Sequence, residues 1–190
     1  MTQKIAVSGS FCLLLAIMIL TLPLKWIIAA VLAGAFHEVC HYIAIRLCGG
    51  KPGLTRLRGW NAGIPLPELS RGKELLCALA GPVGGFLLLS IQRICPEIAL
   101  CGLMQSLYNL LPIYPLDGGR AVACLAALAL PPTYAQWLCG FIQWVCIGAM
   151  IAAGLYAVTV LNLGLAPLLL AGVAAIKANC TCKDGQMALQ

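Results

Sequence analysis

Charged residues are scarce in this chain of 190 residues: they make up 9% of it, against about 25% in a typical soluble domain. Long polar stretches are also missing, and 62% of the residues are hydrophobic. Such a chain cannot cover an ordinary soluble surface, so we predict an integral membrane protein. The first apolar run leads into a second with no A-x-A-like cleavage site, which argues against a removable signal peptide.

Acidic residues are fewer than basic ones, and the formal net charge is +6. Six of the twelve basic residues lie between the second and third apolar runs: Arg46, Lys51, Arg56, Arg58, Arg71 and Lys73. The positive-inside rule places this segment in the cytoplasm, together with the N-terminus. A nucleic-acid partner is disfavoured, because membrane topology alone demands short basic loops beside spans.

Eleven cysteines would suggest disulfides in a small secreted protein. Most of them lie within apolar runs, where a free thiol behaves as a small hydrophobe: Cys12, Cys77, Cys101, Cys124, Cys139 and Cys146. Cys180 and Cys182 form a CxC pair in the polar tail, which is too short a signal to indicate a metal site. We therefore expect no disulfide framework.

The apolar runs predict an all-α polytopic membrane protein with about six transmembrane helices, built as a single domain over residues 1–190. A hydrocarbon core of about 30 Å requires roughly 20 apolar residues per helix. The predicted spans are approximately 5–22, 26–47, 75–91, 98–130 with an interruption, 135–158 and 161–176. Six spans put both termini in the cytoplasm.

Short alternation of apolar and basic residues over 54–66 predicts a small β hairpin or edge strand at the membrane surface, between spans 2 and 3. An exposed strand edge there could pair with the backbone of an extended peptide. A plain amphiphilic loop is the alternative. The glycines of AGPVGG, residues 80–85, predict a close approach of span 3 to span 2.

Histidine is almost absent, and the only two, His37 and His41, fall four residues apart with Glu38 after the first. On a helix both imidazoles then lie on one face and can hold one metal ion. A zinc ion lowers the pKa of a bound water to about 7, and a neighbouring carboxylate can accept its proton, which is the chemistry of peptide hydrolysis. Cys40 is offset from this face, so we expect it to pack rather than bind metal.

The alternative is that the two histidines are buried structural residues with Glu38 as a pairing or helix-dipole residue. It is disfavoured at membrane depth, where an ionisable group costs about 2.5–3.5 kcal/mol and usually has a function.

The stretch NLLPIYPLDGGR, residues 109–120, predicts an interruption of span 4. Pro112 and Pro115 remove backbone donors, and Gly118 and Gly119 permit backbone angles closed to other residues. Asp117 is expected to lie in this interruption, where a carboxylate needs a cation. It is one of only two aspartates in the chain.

His37, His41 and Asp117 would supply three ligands and leave a fourth position open, as in a catalytic zinc site. Iron and cobalt take similar ligands and stay alternatives to zinc.

HEVCH, GPxxx and NxxPxxPLDGGR, in this order, resemble the site-2 protease family of intramembrane zinc metalloproteases, and PLDGGR looks closest to its stage IV sporulation branch. The resemblance covers spans 2–4, a core of about residues 26–130. It implies that His37, His41 and Asp117 bind one zinc ion, that Glu38 is the general base, and that Asn109 assists the substrate or its oxyanion. Gly85 departs from the Asn found in many members, and no CBS or PDZ domain is recognisable.

The resemblance implies hydrolysis of a peptide bond within or next to a transmembrane segment, in regulated intramembrane proteolysis. The expected partners are the lipid bilayer, a transmembrane protein substrate such as a membrane-tethered transcription-factor precursor or its inhibitor, and membrane-protein regulators. Because the histidines lie in the C-terminal half of span 2, we expect the site to open to the cytoplasm. A helical substrate must unwind before attack, since its carbonyls are hydrogen-bonded.

Two other functions stay open: a metal transporter or metal-sensing membrane protein with the same ligands, and a catalytically inactive scaffold. A protease with a distant glutamate ligand is disfavoured, because Glu68, Glu74 and Glu97 lie in loops or at a span edge.

Overall fold

The computed structural model describes residues 23–50 and 69–161, the short segments 6–7, 56–58 and 61–63, and the single positions 172 and 175. The chain divides into two units, Met1–Asn109 and Leu110–Gln190. The first contains three short strands and three α-helices, and the second contains two α-helices within the described residues.

Three helices make up most of the first unit: α1 is Leu24–Leu47, α2 is Arg71–Leu87 and α3 is Pro96–Asn109. A 3₁₀ turn, Leu88–Ile91, continues α2. One stripe of α1 is buried at every fourth residue: Ala29, Ala33, His37, His41 and Ile45. Because residues four apart share a helix face, the two histidines extend a stripe that packs inside the unit.

Helix α1 stops at a glycine in a left-handed conformation. Gly49 has φ +84°, and its N–H donates to the carbonyl of Arg46, while Gly50 donates to Ile45. These two bonds form a Schellman motif, which satisfies carbonyls that the helix end would leave unpaired. The Lys73 ammonium of α2 also donates to the carbonyl of Cys48 at 3.0 Å. The end of α1 is therefore fixed a short way beyond the histidines.

Two acidic residues of the first unit, Glu74 and Glu97, lie at helix starts. Glu74 is in the first turn of α2 and Glu97 in the first turn of α3. Lys25 donates to Glu97 at 3.2 Å. A backbone hydrogen bond at the helix start, together with Lys25, lowers the pKa of the Glu97 carboxyl. These glutamates lie in first helical turns far from the histidines in sequence, which agrees with the view that they are not ligands.

The strands are β1 (Ala6–Val7), β2 (Arg56–Arg58) and β3 (Asn61–Gly63), in the order β1-β2-β3. β1 pairs parallel with β2, and β2 pairs antiparallel with β3. Span 1 was predicted to begin at about residue 5, but Ala6–Val7 belong to a strand that pairs with β2, and the rest of this span lies outside the described residues. A hairpin resting on the membrane surface stays a prediction.

The second unit contains α4 (Asp117–Ala129) and α5 (Pro132–Thr159). Pro131 and Pro132 separate them, since proline cannot continue a helix and is well placed at its first position. The buried residues of α5 include one polar side chain, Gln143, among small and apolar ones.

Within the described residues, three helical segments are long and apolar enough to cross a membrane: Leu24–Leu47, Arg71–Ile91 and Pro132–Thr159. Many of their large apolar side chains are exposed, as expected of helices that face lipid. Span 4 is represented by α3 and α4, of 14 and 13 residues, each shorter than a hydrocarbon core requires. Most of spans 1 and 6 lies outside the described residues, so the total of six stays a prediction.

Candidate metal centre

The two histidines meet on the buried stripe of α1. The Nε2 atoms of His37 and His41 are 3.1 Å apart, and the rings are edge to face with centroids 4.8 Å apart. Both residues are buried, with 2% and 8% of their surface exposed. Glu38 is half-buried on the neighbouring face of the same turn. Both imidazoles therefore lie on one face of α1, as predicted.

Helix α2 fixes the orientation of His41. Its Nδ1 lies 2.7 Å from the carbonyl oxygen of Cys77. Because a carbonyl can only accept, Nδ1 carries the proton, and in the neutral ring Nε2 keeps its lone pair. A hydrogen bond from the other ring nitrogen is the usual outer support of a metal-binding histidine.

Asn109, the last residue of α3, approaches the same place. Its Nδ2 lies 3.3 Å from Nε2 of His37 and donates to it. With the amide placed this way, Nε2 of His37, like that of His41, carries a lone pair and no proton. Two lone pairs 3.1 Å apart repel each other unless a positive charge lies near both.

The spacing of the two nitrogens also suits a metal. At Zn–N distances of 2.0–2.1 Å, two ligands of a tetrahedral ion are roughly 3.3 Å apart. The pair in the first unit, 3.1 Å apart, matches two such positions. The two imidazoles therefore fit two ligand positions of a metal ion, with an amide beside them.

Glycine in α2 makes room for the imidazoles. A Cβ atom added to Gly81 would lie 2.6 Å from His37 Nε2 and closer still to the ring of His41. Gly84 faces Cys40 in the same way, so Cys40 packs between helices as predicted. The prediction that these glycines allow span 3 to approach span 2 is confirmed, and Gly85 extends the contact to Ser106 of α3.

In the second unit, Asp117 is the first residue of α4 and is buried. Arg120, one turn later, has Nη1 4.0 Å from its Oδ1. The interruption over 110–116 is confirmed, but the expectation that Asp117 lies within it is wrong. An acidic side chain in the first turn interacts favourably with the helix dipole, so α4 begins at Asp117 itself.

The role predicted for Gly118 and Gly119 is also wrong. Both lie within α4, and Gly49 is the one glycine with positive φ among the described residues. A Cβ at Gly118 would collide with the carbonyls of Leu110 and Leu111, and one at Gly119 with the backbone of Ile113 and Tyr114. These glycines provide space for the loop to fold back on α4, not unusual backbone angles.

Sequence reasoning missed two buried polar side chains. Gln143 of α5 is 6% exposed and accepts a hydrogen bond from the backbone N–H of Tyr114 at 3.0 Å. Ser106 of α3 is fully buried, and its hydroxyl has no hydrogen-bond partner within the described residues. A carboxamide in the middle of an apolar span was a signal that could have identified Gln143.

The eight cysteines of the described segments form no disulfide with one another. The expectation of no disulfide framework holds for them. Cys180 and Cys182 lie outside the described residues.

Comparison with known proteins bears on the fold. No family model matches the chain, and no curated protein matches its sequence. Among solved structures, the chain is similar to the site-2 protease from Methanocaldococcus jannaschii, with a TM-score of 0.65 and 19% identity over 92% of this chain and 90% of that one. At this identity the likeness establishes the fold, which the motifs predicted.

Proposed function

We propose that this chain is an intramembrane metalloprotease that hydrolyses a peptide bond within or next to a transmembrane segment of its substrate. The observation that carries the proposal is the His37–His41 pair, with Nε2 atoms 3.1 Å apart on a buried stripe of a membrane-length helix. The fold supports it, since the similar structure is described as a site-2 protease.

We assign one Zn²⁺ per chain to this centre, with His37 and His41 as two ligands and Asp117 as the third. The nitrogen spacing and the outer hydrogen bond of His41 support the first two ligands. Asp117 is a buried carboxylate in a chain with only two aspartates, and a carboxylate is a ligand that zinc takes beside two imidazoles. When bound, zinc acts as a Lewis acid and makes a water acidic enough to lose a proton near neutral pH.

Glu38 is the general base in this proposal. It is next to His37 in sequence and half-buried, so its carboxylate can take a proton from a water at the centre and pass it to the departing amine. Asn109 binds the carbonyl oxygen of the scissile bond, where negative charge develops, since its amide already lies beside the histidines. The substrate helix must unwind to expose that carbonyl.

The substrate we propose is a membrane protein whose cleaved segment contains helix-breaking residues. A membrane-tethered transcription-factor precursor, or its inhibitor, fits this description. The Arg46 end of α1 lies on the cytoplasmic side, and the site opens there.

Glu38→Gln tests the proposal. The variant should keep bound zinc, because Glu38 is not a ligand, and should cleave a reconstituted single-span substrate about 10²–10⁴-fold more slowly, because it lacks the base. The control is Glu97→Gln, the same chemical change at the half-buried start of α3. Full cleavage by Glu38→Gln would exclude the assigned base. Zinc flux into proteoliposomes that survives Glu38→Gln, without any cleavage, would favour a transporter.

A further inference from the structure

The loop over residues 110–116 contains few backbone donors. Pro112 and Pro115 have no N–H, which leaves Ile113, Tyr114 and Leu116 between Pro112 and the start of α4. Ile113 donates to the carbonyl of Leu111 at 2.7 Å, and Leu116 donates to that of Ile113 at 2.8 Å. Two of the three N–H groups are thus satisfied inside the loop.

The third N–H, that of Tyr114, bonds to another element. It donates to Oε1 of Gln143 on α5, 3.0 Å away. Gln143 is twelfth of the 28 residues of α5, roughly 17 Å along the helix at 1.5 Å per residue. Gln143 is itself buried, with 6% of the residue exposed, so the bond to its amide oxygen ties Tyr114 to a fixed position on α5.

The loop also packs against the first turn of α4. Gly119 is in close contact with the backbone of Ile113 and Tyr114, and Gly118 with that of Leu110. No flexible side chain lies between these backbones, so a shift of Tyr114 passes directly to the turn that begins with Asp117.

We propose that Gln143 is a positioning residue: its amide oxygen holds the 110–116 loop in the shape that places the carboxylate of Asp117 for metal binding. This inference rests on the proposed function, in which Asp117 is the third ligand. Gln143 does not bind the metal, and it acts through the backbone of Tyr114.

The experiment measures zinc affinity of the full chain in detergent, by competition with a fluorescent chelator, for four variants. Gln143→Leu keeps the size of the side chain and removes the acceptor, so its affinity should fall about tenfold, as for other outer supports of metal ligands. Gln143→Glu restores an acceptor and should bind zinc nearly as the wild type does. Gln136→Leu, at an exposed site on the same helix, should have no effect. Asp117→Ala should lose most of the affinity.

The results separate this inference from the proposed function. If Asp117→Ala weakens binding and Gln143→Leu does not, the positioning role of Gln143 is refuted while the ligand role stands. If Asp117→Ala binds zinc like the wild type, the proposed ligand set fails, and this inference fails with it. Equal losses in Gln143→Leu and Gln136→Leu, or no recovery in Gln143→Glu, also refute it.

Amide hydrogen exchange keeps the inference testable should Gln143→Leu be poorly folded. In Gln143→Glu and the wild type, the Tyr114 amide should exchange slowly, and in Gln143→Leu it should exchange faster than the amides of α5. Slow exchange at Tyr114 in Gln143→Leu would show that the bond to Gln143 does not hold the loop.

Discussion

The two units hold their polar side chains by different means. In Met1–Asn109, His37 and His41 are positioned by the regular geometry of α1 and by glycines that let α2 come close. In Leu110–Gln190, Asp117 follows an irregular loop in which the N–H groups of Ile113, Tyr114 and Leu116 each bond to a different acceptor. The first arrangement should therefore be sensitive to space between helices, and the second to individual contacts with the loop.

Gly81→Ala should have the largest effect in this comparison. The added methyl group would lie against the rings of both histidines, so the imidazoles must move, and zinc affinity should fall by about 10–100-fold. Gly72→Ala on the same helix is the matched control, because nothing lies within 4 Å of its added Cβ. Chelator competition measures both. Equal affinities in the two variants would show that space at Gly81 does not position the pair.

Gly119→Ala should test the second unit in a similar way. Its methyl group would collide with the backbone of Ile113 and Tyr114, which cannot rotate away, and the free energy of unfolding should fall by about 1–3 kcal/mol. Gly148→Ala on α5, with nothing within 4 Å of the added atom, should lower the free energy of unfolding much less. Reversible unfolding in mixed micelles measures the difference. Equal losses of unfolding free energy in the two variants would mean that the loop does not pack tightly against α4.

Ser106→Ala should have the smallest effect. The hydroxyl is buried without a hydrogen-bond partner among the described residues, so its removal should leave the free energy of unfolding unchanged or raise it by about 1 kcal/mol. Gln143→Leu, which removes an acceptor in use, should lower it. The same unfolding assay compares them. A clear loss of unfolding free energy in Ser106→Ala would contradict this difference between the units. It would mean that a buried polar group of the first unit also depends on a single contact.

The difference between periodic helix packing and single loop contacts explains which features could be predicted from the sequence. The placement of His37 and His41 follows from a fixed helical period, and the packing of Gly81 and Gly84 follows from their lack of a side chain. These features are local or periodic, so the pattern HEVCH and the glycines of AGPVGG were enough to predict them.

The loop was predicted as an interruption but not in its detail. The prolines show that α3 must end, yet they do not show where α4 begins or which acceptor Tyr114 finds. That acceptor, Gln143, is 29 residues away in sequence. Gly118 was misinterpreted for the same reason, because its neighbours Leu110 and Leu111 meet it only after the loop has folded back. Contacts of this kind depend on tertiary structure.

The central claim is that the histidines of α1 and Asp117 bind one divalent metal together. Metal content of the purified full chain, measured by mass spectrometry after zinc loading and gel filtration, tests it most directly. The account predicts one zinc per wild-type chain, one in Glu38→Gln, and almost none in His37→Ala, His41→Ala or Asp117→Ala. Zinc retained by Asp117→Ala at the wild-type level, or by a variant lacking both histidines, would contradict it.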